Sequence, residues 1–242
     1  MLKKFKSYVV LKRQTICSCV FRQEFERSNL KLIKRVLIMD GTIYTIGYAG
    51  FSRDIFIQEL KKYTISVLID VRSSPFSSFH SEYNKDILKA ALKKNNIYYR
   101  NYAKEFGARQ DNLDLYTSDG YLDFEKVAQS DDFQNGLSKL CNSIKQGYIP
   151  ALMCAEINPF DCHRAILVSR AFYECGYNVI HILPKGRTCG QNDVNKALLD
   201  KYFPDRSQLS FFERAEEDKL IKEAYKKRNA EIGYKITEGD KQ

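Results

Sequence analysis

Tryptophan is missing from the 242 residues, but 16 Tyr and 15 Phe supply ample aromatic packing material. That absence alone excludes nothing. The lack of long apolar runs excludes more: stretches such as Tyr8-Val-Val-Leu11 fall far short of the ~20 residues a membrane-spanning helix needs. Lys12, Arg13 and Gln14 interrupt the only apolar region near the start, so a cleaved signal peptide is not expected. Seven cysteines is an odd number, scattered without framework spacing. Reduced thiols and a cytoplasmic location fit that usage better than a disulfide scaffold. Also missing are a Gly-rich phosphate loop, a His-Glu-x-x-His and a Gly-x-Ser-x-Gly. Their absence removes the P-loop, zincin and serine-hydrolase templates. No internal repeat or low-complexity block is present.

Charge is abundant and unevenly placed. The net charge is +9, and residues 1–38 carry ten Lys or Arg against Glu24 and Glu26, leaving only +1 for the other 204 residues. A basic arm on a nearly neutral body has two readings. It is an electrostatic tether to nucleic acid or anionic lipid, or a solvated extension ahead of a body that starts near Met39.

That body alternates strand and helix patterns. Residues 42–46, 66–70, 97–99, 149–154 and 178–183 read as strands. Helical stripes follow Ser52 (Phe56, Ile57, Leu60) and Asn84 (Ile87, Leu88, Ala91, Leu92). Further helices fall within 121–145 and 165–174, the last stopped by Gly176. Such alternation predicts an α/β domain over 39–186, a mostly parallel sheet with helices on both faces. Residues 1–38 form the extension. Residues 187–242 read as a loop followed by an amphipathic helix over about 208–230 (Leu209, Phe212, Leu220, Ile221, Tyr225), a lid or packing arm.

Ligands of open α/β sheets sit at the carboxyl ends of strands, and two segments place polar groups there. One is Asp70-Val-Arg72-Ser73-Ser74-Pro75. The other is Cys154-Ala-Glu156, followed by Asp161-Cys162-His163-Arg164 and a helix. A thiol beside a helix N-terminus, a His and an Arg is expected to lose its proton readily. The leading expectation is a thiol-dependent transferase or hydrolase. Cys154 or Cys162 would be the nucleophile, with His163 and Glu156 assisting. Asp70, Arg72, Ser73 and Arg164 would hold a small anionic or electrophilic ligand, the two arginines in fork geometry. Each residue also has a plainer reading: Cys154 as core packing, Asp70 as a partner for Arg72, Glu156 and Asp161 as loop solvation, His163 as a structural hydrogen-bond partner.

Two alternatives come from other classes. Cys154, Cys162 and His163, completed by Glu156 or His80, are candidate ligands for a metal ion as cofactor. The Cys-x7-Cys-His spacing is not a standard zinc spacing, and two adjacent ligands are expected to need an unusual turn. Cys17-x-Cys19 supplies only two ligands. Finally, Tyr98-Tyr99-Arg100-Asn101-Tyr102 and the basic arm suit single-stranded nucleic acid, although alternating aromatics in a strand are also ordinary core.

Taken together, Thr45-Ile-Gly-Tyr-Ala-Gly-Phe-Ser52, Leu68-Ile-Asp-Val-Arg-Ser-Ser-Pro-Phe-Ser77, Cys154-Ala-Glu-Ile-Asn-Pro-Phe-Asp-Cys-His-Arg164 and Val179-Ile-His-Ile182 resemble the family catalogued as domain of unknown function 488, over about residues 42–184. The resemblance implies an α/β domain and no settled activity. Leu68–Arg72 and the segment from Cys154 through Arg164 to Gly176-Tyr177 are also similar to rhodanese-like domains, which carry sulfur on a cysteine. The loop between Cys154 and Arg164 is about twice as long as a rhodanese-like loop and holds a second thiol, so neither that mechanism nor a Cys-x5-Arg phosphatase mechanism transfers.

Overall fold

The computed structural model describes residues 41–208 and 214–237. The basic arm, Cys17, Cys19, Met39, Leu209 and Phe212 lie outside the described residues.

Six strands form one sheet: β1 (Thr42–Gly47), β2 (Val67–Asp70), β3 (Tyr98–Asn101), β4 (Pro150–Cys154), β5 (Asn178–Leu183) and β6 (Arg187–Gly190). Their order is β3-β2-β4-β1-β5-β6, all neighbours parallel except the β5–β6 pair. The helices are α1 (Arg53–Lys62), α2 (Lys85–Lys94), the four-residue α3 (Ala103–Phe106), α4 (Phe124–Gln129), α5 (Asp131–Lys145), α6 (Arg170–Glu174), α7 (Gln191–Tyr202) and α8 (Arg214–Ile232). None of the described helices is long and apolar enough to cross a membrane.

Parallel strands covered on both sides need apolar residues at consecutive positions, and β2 and β4 are buried throughout. Ile46, Leu68, Tyr99, Ala151, Met153 and Ile182 face one way, onto Phe56, Ile57 and Leu60 of α1 and Leu88 and Leu92 of α2. Their strand neighbours Thr45, Leu152, Cys154 and His181 face the other way, because side chains alternate with period two. There they meet α5, α7 and the segment that starts at Arg164. Each fully buried Leu, Ile or Phe favours the fold by about 1.5–3 kcal/mol over its exposed state.

Several sequence expectations need correction. The stretch 187–202, expected as a loop, holds the antiparallel edge strand β6 and the twelve-residue α7. The region 121–145 is two helices, broken at Ser130, whose hydroxyl caps α5 by accepting from the Phe133 N–H at 3.3 Å. The helix expected from residue 165 opens as a π-helix over Arg164–Ser169. Ser52 and Asn84, which their positions ahead of helical stripes make candidate caps, precede α1 and α2 without a side-chain cap, and Asn84 Oδ1 instead accepts from the Ser77 N–H.

Candidate functional site

β4 lies between β2 and β1, so its carboxyl end is flanked by theirs. Hydrogen bonding continues past the strands: the Val71 N–H donates to the Met153 carbonyl at 3.1 Å, and the Ala49 N–H to the Ala155 carbonyl at 3.0 Å. The chain then crosses directly over the end of β1. A Cβ at Gly47 would lie 1.7 Å from the Glu156 carbonyl oxygen, so only glycine permits this crossing. Asn158 closes the following turn by accepting from the Phe160 N–H, and Pro159 starts the 3-10 turn Pro159–Asp161. Arg228 of α8 holds that turn down. Its Nε donates to the Phe160 carbonyl at 3.0 Å, its Nη2 pairs with Asp161, and its guanidinium sits 4.4 Å from the Phe160 ring centre. The C-terminal helix is thus a strap on the loop that carries the site.

Cys162 is extended (φ −132°, ψ 134°) and His163 is helical (φ −56°, ψ −26°). Both conformations are ordinary, and this single β-to-α step turns two adjacent side chains toward one point. The unusual turn expected for adjacent ligands is not needed. The Cys154 and Cys162 sulfurs and a ring nitrogen of His163 lie within 4.8 Å of one another. His163 Nδ1 is 3.8 Å from Cys154 Sγ and 3.9 Å from Cys162 Sγ. Its Nε2 is 3.0 Å from the Val71 carbonyl, an acceptor only, so Nε2 carries the proton and the Nδ1 lone pair faces the sulfurs. One oxygen of Glu156 lies 2.9 Å from Cys154 Sγ and 3.0 Å from Cys162 Sγ, within reach of a proton from either thiol. The two sulfurs and the imidazole are buried, while Glu156 reaches in from an exposed backbone position.

The electrostatics of this cluster are one-sided. The hydrogen bond to Cys162, reinforced by burial and the Glu156 charge, pushes the Cys154 thiol well up. Burial alone would also raise Cys162, but Cys154, Arg164 and His163 outweigh it and hold that thiol well below its usual range. Burial raises the Glu156 carboxyl, helped by the charge on Cys162. For His163, burial opposes the charge, yet the interactions with Cys162 win and its pKa is raised. Three potential anions converge here, and the Nδ1 lone pair of His163 is the nearest proton acceptor to the two sulfurs.

The expected arginine fork around an anion is not what the structure builds. Arg164 is fully buried and spends its donors on the protein: Nη1 to the Glu156 carbonyl at 2.5 Å, Nη2 to the Ile157 carbonyl at 3.1 Å, Nε to Thr45 Oγ1 at 3.4 Å. It is the internal brace of the Cys154–Cys162 loop. Asp70 and Arg72 stand on the opposite face of the sheet, because Asp70 pairs in register with Met153 rather than with Cys154. Arg72 grips Asp70 through Nε at 2.9 Å and Nη2 at 2.6 Å, and Nη2 also donates to the Tyr83 carbonyl. The Tyr99 hydroxyl adds a 2.7 Å bond to Asp70. Ser73 Oγ accepts from the Arg109 N–H at 2.8 Å. His80 packs edge-on against Tyr48 and lies near Glu82, apart from the cysteines.

Sequence reasoning missed a buried polar chain behind the site. Arg164 Nε donates to Thr45, and the Thr45 hydroxyl lies 2.8 Å from His181 Nδ1. His181 Nε2 is 3.0 Å from Gln191 Oε1, and Gln191 Nε2 donates to the Tyr225 hydroxyl and the Ala165 carbonyl. Tyr225 in turn donates to Asn195. One set of protons satisfies every link, with neutral His181 protonated on Nε2. Burial, then the Arg164 charge, depresses His181 from 6.5 to about 4, so the neutral form persists. The signals available were Thr45 and His181 at strand positions otherwise filled by apolar residues.

A mostly parallel α/β sheet with a thiol–imidazole–carboxylate cluster at the end of a central strand is thus the class of protein in hand. The family model described as domain of unknown function DUF488 matches residues 52–171, which include β2, β4 and the whole Cys154–Arg164 segment. No curated protein and no solved structure matches the chain.

Proposed function

We propose that the protein binds one thiophilic divalent metal ion of the zinc class, with Cys154, Cys162 and His163 as ligands and Glu156 as the fourth, outward-facing one. The observation that carries this reading is the convergence of two sulfurs, a lone pair and a carboxylate oxygen on one point. That donor set is typical of tetrahedral zinc. The His163–Val71 hydrogen bond is the outer contact that orients a metal-binding imidazole. A divalent ion also answers the electrostatic problem: two thiolates and a carboxylate around it leave one negative charge, and buried Arg164 offsets that charge. Glu156 is the only exposed member of the set, so it is the ligand that an oxygen of an anionic substrate would displace, which is where Lewis-acid chemistry would begin.

The thiol-enzyme reading rests on Cys162 losing its proton readily, as a nucleophile must. Against it stand the burial of both sulfurs and the commitment of Arg164 to backbone carbonyls, which leave an incoming substrate neither a path nor a clamp. Elemental analysis of freshly purified protein separates the two. The metal reading predicts close to one ion per chain, lost in Cys154→Ser and Cys162→Ser and retained in Arg72→Met. Metal-free protein whose Cys162 alkylates rapidly would sink it.

A further inference from the structure

A second set of residues gathers on the edge strand β3, two places from β4 in the sheet. Parallel pairing of Val67 with Tyr98 and of Ile69 with Arg100 puts Tyr98 and Arg100 on the same face as those apolar residues, and Tyr102 continues the alternation. Across from them run the last turns of α5. Between strand and helix lies a cavity of about 250 Å³, rimmed by Tyr98, Arg100, Tyr102, Tyr148, Ser143 and Gln146. Its floor is apolar, from Ile69 and Leu140, both buried.

The chemistry of this rim is specific. Among the described residues, Tyr98 and Tyr148 are two of the exposed large aromatics, 55% and 38% accessible, and their rings meet edge to face at 6.0 Å. The Arg100 guanidinium sits 5.8 Å from the Tyr98 ring centre, with Nη1 bonded to the Tyr99 carbonyl. Tyr102 is stacked on Phe106 of α3, ring centres 5.4 Å apart, which fixes its orientation. The volume is below the ~300 Å³ at which pockets for drug-sized ligands begin, so the cavity holds a planar ring system alone, and anything attached to it lies outside, along the rim where Arg100 is exposed. The Gln146 amide, the Ser143 hydroxyl and the tyrosine hydroxyls offer both donors and acceptors to the edge of a heterocycle, more than an aliphatic ligand needs. The carboxyl end of α5 brings negative dipole charge to its side of the cavity, which suits the N–H groups of a base and repels phosphate. Arg100, on the strand side, supplies the positive charge.

We propose that this cavity is a binding site for a nucleobase carrying a phosphate, with the base against Tyr98 and Tyr148, its edge toward Gln146, and the phosphate on Arg100. Such a group reaches the site as a free nucleotide or as one residue of a single strand. The site is independent of the cysteine cluster and stands whether or not that cluster holds a metal.

The test uses the full-length chain, titrated calorimetrically with adenosine monophosphate and separately with an eight-residue single-stranded oligoadenylate, at low and moderate salt. Residues 1–38 are then the same background in parent and variants. Tyr98→Ala and Arg100→Met alter exposed side chains, and their folding is checked by thermal unfolding. Loss of the stacking ring is expected to weaken binding by about five- to a hundredfold in Tyr98→Ala. Arg100→Met should weaken it too and flatten its salt dependence. Response to the nucleotide identifies a mononucleotide site, and response to the oligonucleotide alone identifies a strand-binding one. No binding of either probe, or binding equally tight in Tyr98→Ala, overturns the proposal.

Discussion

Replacing Arg164 with Met separates a brace from a substrate clamp. An arginine that holds a ligand can be removed with little loss of stability, whereas Arg164 has no exposed surface and donates to two loop carbonyls and a threonine hydroxyl. A hydrogen bond from a charged donor contributes roughly 1.5–3 kcal/mol. Two such bonds, with the carbonyls of Glu156 and Ile157 left to find new donors, give a loss of about 4 kcal/mol. In a chain of this size each kcal/mol moves the midpoint by roughly 2–4 °C, so the Met variant should melt about 8–16 °C lower. Lysine cannot reproduce the fork and should recover less than half of the loss. The assay is thermal unfolding followed by circular dichroism, repeated in the presence of a chelator. A Met variant melting within 2 °C of the parent would refute the brace and return Arg164 to the pool of ligand-binding residues.

Three further outcomes follow from the geometry. Asp70→Asn should cost about 3–5 kcal/mol in urea unfolding, because it strands the buried Arg72 cation; a loss below 1 kcal/mol contradicts the pair's structural role. The ring signals of His181, followed by NMR, should not titrate between pH 8 and 5, since its pKa lies near 4. The fold favours neutral His181, so its contribution is complete above pH ~6.5. It is lost as pH falls toward 4, by up to roughly 1.4 kcal/mol per pH unit; a midpoint near 6.5 contradicts the buried chain. Gly47→Ala, whose Cβ would overlap the Glu156 carbonyl, should displace the loop and abolish metal binding, while Gly120→Ala, where space is open, should keep it despite the strain of a positive φ.

The core of this fold is legible in the sequence because buried parallel strands announce themselves. Residues 178–183 coincide with β5, and the expected strands at 42–46, 66–70 and 149–154 differ from β1, β2 and β4 by a residue at one end. β6 carries Arg187, Thr188, Cys189 and Gly190, with no apolar alternation for a pattern to catch. α7 begins after Gly190, whose N–H is capped by the Asp193 carboxylate at 2.7 Å; a glycine cap with Asp three residues on is a weaker start signal than Ser, Thr, Asp or Asn at the cap. The candidate site was half legible. Cys154, Glu156, Cys162 and His163 sit where the motif suggested, but which face of the sheet each strand-end residue occupies depends on register. Asp70 opposite Met153 sends Arg72 away from the cysteines, and no local pattern encodes that offset. The Val71 carbonyl that orients His163 has no side-chain signature at all.

The central claim is that Cys154, Cys162, His163 and Glu156 form one metal centre, and cobalt(II) substitution tests it most directly. Reduced, chelator-treated protein is titrated with cobalt(II) and followed by visible and near-ultraviolet absorption. The account predicts saturation at one equivalent, with intense tetrahedral bands and sulfur-to-cobalt charge transfer. The charge-transfer band should weaken in either Cys→Ser variant, and the spectrum should shift but survive in Glu156→Gln. A weak octahedral spectrum, or thiolate bands unchanged in Cys154→Ser and Cys162→Ser, would contradict it.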